Sequence, residues 1–133
     1  PIAAAWNNGQ THVVPVKPDT IAKSLAIGNP ADGIYALKVI QESGGSATAT
    51  PEKTVAEGIE LLARTEGIFT ETAGGVSISV LKSLVEAGAI KRDERTVVYI
   101  TGNGLKTQEV VENAVNTLPI KPTMGSFESA FNA

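Results

Sequence analysis

Cysteine is absent, and histidine occurs once, as His12. These two gaps exclude disulfides, thiolate zinc sites, a thiol nucleophile and any multi-histidine metal centre, so no metal site is expected. A Ser-His-Asp triad would have to use His12, which sits beside a polar turn and reads better as a surface residue at a strand edge. No GK[ST] triplet occurs, which excludes the P-loop. Cations are few and scattered: 11 Lys and Arg stand against 14 Asp and Glu, for a net charge of −3. Duplex binding rests on clustered Lys and Arg, so a nucleic-acid partner is not expected. Long apolar runs and a signal-peptide pattern are also missing, so no membrane partner is expected and a cytoplasmic protein is the default. An initiator methionine is missing too. The opening PIAAAW suits a processed protein or a piece of a longer one.

What is present is 133 residues at 42% hydrophobic content, enough for one domain with a real core. Thr11–Val16 is a short extended segment whose Pro15 suits an edge strand or a loop. Pro18-Asp19-Thr20 starts a short helix carrying Ile21 and Leu25, and Gly28-Asn29-Pro30 stops it, with Gly28 free to turn left-handed. Gly33–Ser43 places Ile34, Leu37 and Ile40 at helical spacing, and Ser46–Thr50 alternates like a short strand. Thr50-Pro51-Glu52 is a helix start, with Thr50 as the cap, and Val55, Ile59 and Leu62 form that helix's buried stripe up to Gly67. Residues 72–87 predict a helix apolar nearly all round, hence buried on more than one side. Val97–Ile100 is a continuous apolar run, which predicts a central strand of a parallel sheet covered on both faces. Val111, Val115 and Leu118 mark a last helix, followed by a tail. The order β-α-α-β-α-α-β-α reads as an α/β layer fold with few strands for a complete sheet.

Two places carry candidate chemistry. Thr101 ends the predicted central strand, where ligands sit in open α/β sheets, and Gly102-Asn103-Gly104 follows it. Position 107 is Thr, so the third glycine of the dinucleotide fingerprint is lacking. The turn is either a plain strand-to-helix connection or a ligand site in which the Thr101 hydroxyl donates a hydrogen bond. Glu71 precedes the glycine-rich helix start Thr72-Ala73-Gly74-Gly75. Its carboxylate either favours the helix dipole or faces a cofactor.

Three stretches in this order resemble the C-terminal part of the threonine synthase family, pyridoxal-phosphate enzymes of the tryptophan-synthase-β type. They are TIAKSLAIGNP at 20–30, EGIFTETAG at 66–74 and VYITGNGLK at 98–106, with Ser43-Gly44-Gly45 and Leu61–Arg64 between them. The resemblance covers roughly residues 1 to 125 and implies a partial three-layer α/β sandwich of a few mostly parallel strands. It makes residues 1–133 one C-terminal segment of the large catalytic domain, with 118–133 as a tail. It further implies pyridoxal phosphate as cofactor of the complete enzyme and conversion of O-phosphohomoserine and water to L-threonine and phosphate. Thr101 would bond the cofactor's ring nitrogen, with Glu71 and Gly102 beside it. The partners implied are the small-molecule substrate, the protein's own N-terminal part and further copies in a homo-oligomer.

The sequence departs from the family in three respects. Asn103 stands where His is frequent, and Thr72 stands where Pro is frequent. The Schiff-base lysine motif and the glycine- and asparagine-rich phosphate loop are absent, and none of the eight lysines has the matching context. No catalytic residue is therefore assigned, and activity of the chain alone is not expected. A threonine/serine dehydratase segment is the alternative among enzymes, although Ser-Gly-Gly-Asn is the commoner strand end there. A non-catalytic α/β ligand-binding or interaction domain is the alternative outside them.

Overall fold

A computed structural model describes residues 1–132; Ala133, the end of the expected tail, lies outside the described residues. Its centre is a pair of helices, α3 (Glu52–Glu66) and α4 (Thr72–Glu86), packed along each other. The stripe read from α3 is the core: Val55 and Ile59 are fully buried and Leu62 nearly so, against Ala73 and Ile78 of α4. The pair approaches closely because glycines face each other across it. A β-carbon at Gly58 would collide with the Gly75 carbonyl, and one at Gly75 would meet the Val55 carbonyl and the Ile59 side chain. Gly67, in the left-handed region at φ 69°, ends α3 and turns the chain into α4.

Around this pair sit smaller elements. Helix α1 (Ile2–Asn7) packs on α2 (Gly33–Glu42), burying Ala5 and Leu37. Short 3-10 turns at Lys23–Leu25 and Gln108–Ala114 lean on α4 and α3 respectively, and Lys23 pairs with Glu109 at 3.1 Å. Helix α5 (Met124–Phe131) starts on the Thr123 hydroxyl, which accepts from the Ser126 amide, and stacks Phe127 on Phe131 at 5.6 Å.

Several expectations are corrected. The chain does not form a three-layer α/β sandwich of mostly parallel strands; among the described residues there is no sheet. Strand pairing is limited to one isolated antiparallel bridge, Thr70 with Asn103. Residues 96–100 form no strand, because a strand's N–H and C=O groups need a neighbouring strand and the described residues supply none. The run also is not covered on both faces. Val98 and Ile100 are half-buried toward α3 and α4, while Val97 and Tyr99 are 73% and 81% exposed. The segments 11–16 and 46–50 are unpaired as well, apart from the Val16 amide donating to the Gly28 carbonyl at 3.0 Å. Gly28 is not left-handed; glycine is required there because a β-carbon would strike the Val16 carbonyl.

The helices expected at 21–25 and 111–118 shrink to 3-10 turns, the second kinked at Val111. Helix α3 begins one residue later than read, with Pro51 in the cap position and the Thr50 hydroxyl bonded to that of Thr54 at 2.7 Å. Helix α4 is buried chiefly over its first turns, and Val85 near its end is 51% exposed.

Candidate functional site

The isolated bridge joins the two segments that carried candidate chemistry. After Gly67 the chain runs extended through Ile68–Thr70, and Glu71 takes the N-cap position of α4 with φ −70° and ψ 175°. Residues 101–104 cross this link antiparallel. The Glu71 amide donates to the Gly102 carbonyl at 3.1 Å, and the Gly104 amide donates to the Phe69 carbonyl at 3.1 Å. The Thr70 hydroxyl, fully buried, donates to the same Gly102 carbonyl at 3.0 Å.

Side chains fill the space that the turn's glycines leave. A β-carbon at Gly102 would run into the Glu71 carboxylate, and one at Gly104 into the Phe69 ring. The glycines therefore admit the protein's own Glu71 and Phe69. Glu71 is buried, its side chain 4% exposed, and its Oε1 receives the Lys106 ammonium at 3.1 Å. Lys106 reaches in from the 3-10 turn Gly104–Lys106, which the Asn103 side chain opens by accepting from the Leu105 amide at 2.9 Å. Thr101 is exposed and makes none of the hydrogen bonds that tie its neighbours.

The structure thus brings Glu71 and Gly102 into contact and leaves Thr101 beside them, exposed. Three further residues tie the junction that the sequence reading did not place there: Thr70, Lys106 and Thr107. Thr107 is the residue that breaks the glycine fingerprint. Its buried hydroxyl accepts from the Thr72 amide at 3.1 Å and so satisfies an unpaired donor at the start of α4. A proline at position 72 would remove that donor, so the Thr72 departure and Thr107 act together. The Thr72 hydroxyl is buried without a partner. No sequence signal pointed to Lys106, because its partner lies 35 residues away.

This geometry decides what part of a phosphorylated cofactor the turn suits. The Gly104, Leu105, Lys106 and Thr107 amides are all spent on intrachain acceptors, and a buried carboxylate packs on the turn. A phosphate cradle needs free amides and no anion. The exposed Thr101 hydroxyl suits a neutral hydrogen-bonding atom such as a ring nitrogen. The groove between α3 and α4, about 460 Å3, includes none of these residues.

Comparison with known proteins gives the class. The pyridoxal-phosphate dependent enzyme family matches residues 1–102, and the chain belongs to that family. Within it, the similar proteins are threonine synthases. That of Methanocaldococcus jannaschii is 44% identical over 91% of this chain and 30% of its own length. That of Methanosarcina acetivorans is 38% identical over 84% of this chain and 28% of its own, and that of a Bacillus species 35% over 88% and 33%. The chain spans about a third of the length of these curated relatives. No helix of the described residues is long and apolar enough to cross a membrane.

Proposed function

We propose that this chain is the C-terminal part of a threonine synthase, contributing one wall of the pyridoxal-phosphate site in a protein that converts O-phosphohomoserine and water to L-threonine and phosphate. The observation that carries the reading is the junction of Glu71 with Gly102 beside the unpartnered Thr101 hydroxyl, in a chain whose relatives are threonine synthases. When bound, the cofactor supplies an electron sink for the substrate's α- and β-carbons. Thr101 would hold the ring nitrogen by donating its hydroxyl hydrogen to it. Gly102 keeps the turn slim enough for Glu71 to lie against it. The N-terminal part would hold the cofactor's phosphate and its covalent lysine, since this chain has neither the phosphate loop nor the Schiff-base lysine motif. A homo-oligomer in the cytoplasm completes the reading.

The direct test is an assay of the complete protein. Release of phosphate and formation of threonine from O-phosphohomoserine is the expected result. An oxo acid from threonine or serine, with no threonine formed, would assign the segment to a dehydratase. Thr101→Val is expected to weaken cofactor binding by about 1–3 kcal/mol, the loss of one buried hydrogen bond. Unchanged affinity, measured by cofactor titration, would remove Thr101 from the site.

A further inference from the structure

A hydroxyl is ambivalent toward a ring nitrogen. It donates to a bare nitrogen and accepts from a protonated one. Thr101 alone therefore does not determine whether that nitrogen carries a proton; the charges around it do. A carboxylate within about 4–6 Å raises the proton affinity of a basic nitrogen, and a cation lowers it. The carboxylate packed on this turn is Glu71, which touches Gly102, the residue after Thr101. At 4% side-chain exposure it is poorly screened by water. Lys106 is the cation bonded to it, at 3.1 Å. The next charged pair along the turn, Glu109 with Lys23, is closed on itself at 3.1 Å.

We infer that Lys106 is a charge-setting and positioning residue: by neutralising and anchoring the Glu71 carboxylate against Gly102, it keeps the ring nitrogen held by Thr101 unprotonated. The inference rests on the function proposed above and adds a role that the bare Thr101 hydroxyl cannot fill. Lys106 does not touch the cofactor; it acts through Glu71. Without it, the buried carboxylate would pull a proton onto the nitrogen and change the electron demand of the site.

The test uses the complete enzyme loaded with cofactor labelled with 15N in its ring, with the nitrogen resonance followed against pH. Lys106→Met should move the nitrogen's titration midpoint up by about one unit or more. Lys106→Arg should leave it in place, and the double variant Glu71→Gln with Lys106→Met should restore it, since the local charge is again balanced. Glu71→Gln alone leaves the ammonium in excess and should move the midpoint down; this arm decides the matter where Lys106→Met is unstable. A loaded enzyme whose midpoint moves in neither K106M nor E71Q overturns the role of Lys106 and leaves the proposed function standing. A shift in K106R as large as in K106M also overturns it, because charge would not be the cause. Failure of the unmodified enzyme to take up cofactor overturns the function and the inference together.

Discussion

Gly102 is the residue at which the two segments of the candidate site touch, and its missing β-carbon is what permits it. Gly102→Ala is expected to push the Glu71 carboxylate off the turn and break its contact with Lys106. The overpacking should destabilise the fold by about 1–3 kcal/mol, read from denaturant unfolding. At the exposed Thr101 next door, a valine should change stability by less than about 0.5 kcal/mol, which separates a role in binding from a role in folding. Sequence reading found Glu71, Thr101 and Gly102 because each sits at a local punctuation mark, a helix start or a glycine turn. What the turn's glycines admit, the Glu71 carboxylate and the Phe69 ring, was not legible in the sequence. Lys106 and Thr107 were illegible as site residues because their partners, Glu71 and Thr72, are each 35 residues away, and no local pattern encodes a contact at that distance.

The helix pair α3 and α4 was the most legible element. Its stripe of Val55, Ile59 and Leu62 repeats every three to four residues, and these residues are buried as that period requires. The reason for Gly58 and Gly75, the close crossing of the two helices, was not legible in the sequence. Gly75→Ala sets two effects against each other. Helix propensity gains about 1 kcal/mol, but the new β-carbon meets the Val55 carbonyl and Ile59 inside the packed pair. The clash involves backbone, which cannot swing away, so a net loss of about 1–2 kcal/mol is expected in thermal unfolding.

The start of α3 carries a pH-dependent tie. Glu52 accepts from the Ile21 amide at 2.9 Å, and its carboxyl is held below the usual range, first by the Thr20 hydroxyl and then by that amide. A carboxyl lowered in the folded state stabilises the fold above its ordinary value of 4.5 and loses that contribution as pH falls through the lowered value. Glu52→Gln should flatten the acid limb of stability, and the Ile21 amide resonance should stop responding to acid; an unchanged acid limb would exclude the tie. The strands were misread for a different reason. The apolar, β-branched run in 96–100 reports a local preference, but a strand also requires neighbours that the run does not supply.

At the scale of the whole molecule, the accessible surface is 9848 Å2, against about 6,600 Å2 for a compact monomer of 13.8 kDa. Much of the excess is apolar: Val97, Tyr99, Leu105, Met124 and Phe131 are each more than two-thirds exposed. The chain alone is therefore expected to bind a hydrophobic dye such as ANS and to unfold over a broad transition. A sharp, cooperative transition without dye binding would show that the helix pair suffices as a fold. The bonds that join 69–72 to 102–107 close a loop of at least 32 residues, and such closure carries an entropy penalty of roughly 3 kcal/mol. Each of those bonds contributes only about 1 kcal/mol net. Five of them cross the junction, so together they offset that penalty, and none does so alone. Losing two or three of these bonds at once tips that balance, so the junction closes or opens as a unit and can separate Glu71 from Thr101 while both helices still stand.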